Sequence, residues 1–311
     1  MAQTAYAPDR PMNREMNDGA PEFRGRVELG SERRKMYAGC AKLNDAEHGL
    51  FGVAQGSGDE KVAALVAKDL VWSLSQELGA SLDRQIENNL HSPGSTQERV
   101  ARIDALVQTK LKEIFLPTVA KMRSRSILQK EFENAGLRAS IAKVVDLPEG
   151  RKRLYVSHLG DARVYIQRGA VLTQITEDDT GLAQHRASEL LTQEEYEQID
   201  QARAPSELSP EHQQLFPLRN DVVSVTGKNV TRMTPEVDTY DIFSGDRLVI
   251  VNPGVQHNLT ARDMKNWLEV VSDDLQAEDV LQRAADDEVG RKSFRPSRAQ
   301  AGDLAVVVHT I

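Results

Sequence analysis

The sequence is poor in cysteine, in long apolar runs and in net positive charge, and each shortage closes off a class of protein. The single cysteine, Cys40, permits no internal disulfide. That fits a reducing, cytoplasmic setting and leaves Cys40 as a small buried hydrophobe. No run of about 18 apolar residues occurs, so no helical bilayer span is expected. A formal charge of -8 with a pI near 5.5 sets up a field that repels polyanions. Neither nucleic acid nor a membrane surface is therefore an expected partner. Chemical signatures are missing too. There is no Cys/His pairing at zinc spacing, no phosphate-cradling Gly-Lys-Ser/Thr loop and no Gly-x-Ser-x-Gly elbow.

What is present is a folded, water-soluble composition, with 40% hydrophobic and 28% charged residues. Residues 1–21, rich in Pro, Asn, Asp and Gly, read as a flexible tail before one domain, 22–311. In "LFGVAQGSGDEKVAALVAKDLVWSL" a short strand and a Gly-rich turn lead into a helix. Val62, Leu65, Val66, Leu70 and Leu74 share its face, and Ser57 with Glu60 forms a capping box. Ser95 and Glu98 repeat the cap ahead of a second stripe, Val100, Ile103, Val107, Leu111 and Ile114, which Pro117 kinks or closes. These two helices read as an antiparallel pair.

The hydrophobic period then drops to two. "SIAKVV", "RLYVSHLGD", "ARVYIQRG" and "VLTQIT" predict an antiparallel meander. Small polar helices fill 177–220, followed by strands at "DVVSVTG" and "DRLVIVN". A capped helix at "TARDMKNWLEVV", a short helix at "AEDVLQRAAD" and a closing strand, "DLAVVVHTI", complete the chain. Long helices not interleaved singly with strands indicate an α+β fold of two central antiparallel β-sheets flanked by helices.

Four segments in this order resemble the metal-dependent type 2C (PPM-type) serine/threonine phosphatases. They are "LFGVAQGSG", "SHLGDARVYIQRGAVLTQITEDD", "GDRLVIVNPGVQHNLTARDM" and "AGDLAVVVHTI". The resemblance implies an αββα sandwich with two magnesium or manganese ions in a groove at the strand ends, bridging the water that attacks a phosphate. Hard divalent ions demand clustered oxygen ligands there.

The ligand positions that the resemblance implies are degenerate in this chain. The first Asp-Gly reads Gln55-Gly56, the second reads Pro253-Gly254, and the third aspartate aligns with Gly302. Asp303 is adjacent, but strand alternation predicts that it aims away from the groove. Within "SERRKMYAGC" no acid follows Glu32, and Arg33 and Arg34 lie near the family's phosphate-gripping arginine. Asp161 reads as hairpin-turn chemistry paired with Arg163. His158 and His309 read as hydrogen-bonded sheet residues, and Asp45, Glu47 and His48 as a solvated turn.

The expectation is a pseudophosphatase with no catalytic residue and no cofactor. It would act as a regulatory module on a protein partner, a kinase or a phosphorylated protein. The alternative is an atypical metal-dependent protein phosphatase whose magnesium or manganese ligands come from Asp59, Asp161, Asp178 or Asp303.

Overall fold

A computed structural model describes residues 26–29, 39–132, 135–222, 237–291 and 303–311. Arg33, Arg34, Gly302, the tail 1–21 and most of the strand expected at 221–227 lie outside them.

The period-two segments pair into two antiparallel sheets. The first is six-stranded and contains β1 (Arg26–Leu29), β2 (Cys40–Asp45), β3 (Leu50–Ser57), β4 (Gly136–Asp146), β5 (Lys152–Leu159) and β8 (Val237–Ile242), adjacent in that order. The second runs β10 (Val306–Thr310), β9 (Arg247–Val251), β6 (Arg163–Arg168), β7 (Val171–Gln174). Alternation gives each central strand two apolar faces. Phe51, Val53, Ala142 and Val156 of the first sheet meet Val164, Ile166, Leu248, Ile250 and Val307 of the second.

The outer face of the first sheet, including Ala54, Leu137, Ala139 and Ile141, is covered by α1 (Glu60–Leu78), α2 (Ala80–Leu90), α3 (Thr96–Glu113) and α4 (Phe115–Leu128). A smaller cluster holds α5 (Gly181–Ala187), α6 (Gln193–Gln201) and α7 (Pro210–Leu215). After the single turn α8 (Pro253–Gln256), α9 (Ala261–Val270) and α10 (Asp274–Arg291) cover the second sheet. Helices, sheet, sheet, helices is the layering expected from the sequence. None of the helices, among the described residues, is long and apolar enough to cross a membrane.

Several local expectations change. The expected meander is split: β4 and β5 pair in the first sheet, β6 and β7 in the second, and the chain crosses between sheets at 160–162. Gly160 turns that corner at φ 77°, and an added Cβ would meet Arg138 Cγ at 3.1 Å. Asp59, not Ser57, caps α1, accepting the Lys61 N–H at 3.0 Å, because Ser57 is still paired in β3. The expected pair of helices is four. Pro117 falls in the first turn of α4, where its missing N–H goes unneeded, so it opens a helix instead of closing one. The stripes and the Ser95–Glu98 capping box form as read, except that Leu65 stands partly in solvent. Trp267 does likewise on α9, and α10 extends well beyond the short helix expected there.

Candidate functional site

At one end of the sandwich β3 finishes beside the start of β4. The register sets Gln55 opposite both Cys40 and Arg138, so Gln55 and Arg138 project from the same, inter-sheet face. Facing them, β9 ends and Asn252 opens α8 with Pro253 as its first residue. The proline's missing N–H would have had no partner inside the helix, and its fixed φ suits that position. Pro253 is therefore a helix opener more than a strand terminator.

Asn252, fully buried, ties the two sheets together. Its Nδ2 donates to Gln55 Oε1 at 2.9 Å and to the Asp303 carbonyl at 2.7 Å, while its Oδ1 accepts the Ala305 N–H at 2.9 Å. Both following glycines are demanded by packing. A Cβ on Gly254 would lie 2.0 Å from the Asp303 carbonyl, and one on Gly56 would lie 2.2 Å from that of Ala63 in α1.

Asp303 corrects the sequence reading. It precedes β10, so pleat alternation does not govern it, and its Oδ2 turns back to accept the Gly39 N–H at 2.6 Å. Its carboxylate therefore sits at the same strand ends as Gln55, through Gly39 beside Cys40.

Asp161, buried in the crossing turn, stands behind this layer. His257 Nε2 lies 2.7 Å from its Oδ2 and Gln256 Nε2 donates to the same oxygen at 3.1 Å. Its Oδ1 receives no hydrogen bond and faces Arg138 Nε at 3.6 Å. Burial alone would raise the Asp161 pKa; the His257 hydrogen bond and the Arg138 charge outweigh it and hold the carboxyl below its usual range. His257 is pushed down from 6.5 by burial, with Arg219 and Arg138 adding to the fall against Asp161.

Arg163 does not pair with Asp161 as expected. It shares a pleat face with Tyr165, away from the inter-sheet core, and there forks onto Asp178 at 2.5 Å and Asp200 at 2.7 Å. Asp59 caps a helix, and Asp178 is absorbed by this ion network. His158 Nε2 meets the Glu177 carbonyl at 2.6 Å, His309 stacks on Phe51 at 4.4 Å, and His48 pairs with Asp45 at 2.9 Å. Among the described residues no three His, Cys, Asp or Glu side chains are arranged to hold a metal ion.

The sequence reading passed over Arg138, Asn252, Gln256 and His257. Arg138 left one trace, a lone arginine on the same alternate positions of "LRASIAKVV" as Ser140 and Ala142. Asn252 left another, a helix-capping residue type directly before Pro-Gly.

No family model matches the sequence, and no curated protein matches it. Solved structures match over nearly its whole length. The serine/threonine phosphatase Stp1 from Staphylococcus aureus has a TM-score of 0.61 at 14% identity, covering 94% of this chain and 96% of that one. The PPM Ser-Thr phosphatase MsPP from Mycobacterium smegmatis, in complex with cacodylate, gives 0.57 at 19%, covering 91% and 95%. The catalytic domain of the phosphatase PstP, in complex with two manganese ions, gives 0.58 at 16%, covering 91% and 95%. The chain has the PPM-type phosphatase fold.

Within the PPM-type fold these strand ends do not suit a pair of divalent cations. With Oε1 accepting from Asn252, Gln55 keeps its Nε2 donors, and no acceptor among the described residues takes them. Pro253 brings no side-chain oxygen. Arg138, a quarter exposed, is the cross-strand neighbour of Gln55, and its terminal nitrogens are uncommitted among the described residues. Hard cations need anionic oxygens, and among the described residues this face sets a single carboxylate, Asp303, against N–H donors and a positive charge.

Proposed function

We propose that the protein is a pseudophosphatase: a catalytically silent PPM-type module that binds or regulates a protein partner, a kinase or a phosphorylated protein. One observation carries the reading. The Gln55 amide is bonded to Asn252 and stands cross-strand from Arg138, at the position where the resemblance places a metal-bridging aspartate. A neutral amide next to a fixed cation cannot offset two divalent ions, and Mg²⁺ surrenders its waters reluctantly even to carboxylate-rich sites. The likeness to manganese-bearing PstP supports the fold from which this groove departs.

The test is calorimetric titration with manganese together with turnover of a phosphoserine peptide. We expect no tight manganese binding and no metal-dependent turnover; clear turnover by the purified chain overturns the reading. Pro253→Asp alone is expected to leave the protein inactive, because Gln55 and Arg138 remain.

A second reading, an atypical metal-dependent phosphatase, is favoured by the Asp303 carboxylate at the strand ends. On that reading Asp303→Asn abolishes an activity that the first reading expects to be absent.

A further inference from the structure

We infer that the strand-end groove takes an oxyanion of a protein partner directly, on the Arg138 guanidinium and the Gln55 amide, without a metal ion. The inference rests on the pseudophosphatase reading and adds to it what the groove binds.

The two residues are cross-strand neighbours on one face, where directly opposed Cβ atoms lie about 5 Å apart. Both present donors only. Gln55 has its oxygen committed to Asn252, which leaves Nε2, and a guanidinium has no acceptor at all. A surface made of N–H donors and one positive charge is complementary to phosphoryl or carboxylate oxygens, and a planar guanidinium can meet two of them at once.

The donors are also held in place before any ligand arrives. The Arg138 stem lies over Gly160, where an added Cβ would come within 3.1 Å of Cγ, and its Nε faces the buried Asp161. Asp161 is itself fixed by His257 and Gln256. Asp161 offsets part of the guanidinium charge from behind, while Arg219 contributes a second positive charge felt at His257. The remaining carboxylate nearby, Asp303, lies on the other flank of Gln55, bonded to the Gly39 N–H. Preorganised donors lose little freedom on binding.

Charge selects the class of partner. Among the described residues the groove presents one partly exposed cation, Arg138, and on a chain of net charge -8 that suits a single isolated anion and not a polyanion. A phosphorylated or acidic side chain of a protein meets that description. A phosphoryl dianion, with more oxygens and more charge, is expected to bind more tightly than a carboxylate.

The test is titration of the full chain in metal-stripped buffer, without a polycarboxylate chelator, followed by NMR or calorimetry. The probes are inorganic phosphate and capped phosphoserine, glutamate and serine. Saturable binding of capped phosphoserine, weaker binding of glutamate and none of serine is the expected result. Arg138→Gln should weaken phosphoserine binding by about tenfold or more, and Arg138→Lys by less, because the charge stays while the fork is lost. Gln55→Glu, which sets a carboxylate beside the guanidinium, should abolish it and decides the matter if Arg138→Gln does not fold.

Absence of saturable phosphoserine binding up to concentrations on the order of 10 mM overturns the inference. So does wild-type affinity in Arg138→Gln or Gln55→Glu, or binding of inorganic phosphate alone. None of these results touches the pseudophosphatase reading, which manganese-dependent turnover would overturn separately.

Discussion

Asp161 and Asp178 are both shut away from water and close enough to feel each other's charge, yet they titrate in opposite directions. Burial would raise Asp161, but the His257 hydrogen bond and the Arg138 charge outweigh it and hold the carboxyl below the usual range. Asp178 is pushed up to about 6: burial dominates, Arg163 opposes it, and the like charge of Asp200 adds to the rise. Burial alone therefore does not set a buried acid's charge; the balance of donors and neighbouring carboxylates does. Near neutral pH both are ionised, but one belongs to the groove and the other to the scaffold.

The comparison breaks most sharply at Arg163. Arg163→Leu strands two buried carboxylates, Asp178 and Asp200, and is expected to cost about 3–5 kcal/mol in denaturant unfolding. A loss under about 1 kcal/mol would mean that the network is not the scaffold element described here.

The pH dependence sharpens it next. His257 has a folded pKa below 6.5, so between that value and 6.5 the unfolded chain binds the extra proton, and stability falls as pH drops through this window. Asp178 acts in the opposite sense. The folded chain keeps its proton up to about 6 while the unfolded chain releases it near 3.8, so this group's contribution declines as pH rises between those values. Melting curves across the acid range should become flatter below pH 6.5 in His257→Gln. In Asp178→Asn the decline between 3.8 and about 6 should disappear; unchanged profiles in both variants would contradict the assignment.

The smallest effect is expected at Arg138. Its contact with Asp161 is long, at 3.6 Å, and Asp161 keeps His257 and Gln256, so Arg138→Gln should cost about 1 kcal/mol or less by the same unfolding assay. Two arginines beside buried aspartates would then differ severalfold in what they hold together.

The helix stripes were legible in the sequence because an amphipathic helix writes its burial into a 3.6-residue period, and Val100, Ile103, Val107 and Leu111 are buried as that period requires. The strands were legible for the same reason at period two. Which sheet each strand joined was not. Nothing local in "SHLGDARV" says that the chain leaves one sheet at Gly160 and enters the other at Arg163, because the choice lies in pairing with β4 on one side and β9 on the other. The degenerate positions Gln55 and Pro253 could be read from the resemblance. Their present roles could not, since a bond from Asn252 to Gln55 spans 197 residues. Asp303 was misjudged because alternation was applied to a residue that lies outside the strand.

By itself the sequence determined the layers, the excess of acid and the absence of side-chain carboxylates at Gln55 and Pro253, since composition and period need no knowledge of distant contacts. Only the tertiary structure decided that Arg138 stands beside Gln55, that Asn252 ties their sheet to β9, and that Arg163 takes Asp178 and Asp200 and leaves Asp161 to His257. The physical reason is that charge and hydrogen bonding act over a few ångströms of space. Folding brings together residues that the sequence keeps far apart.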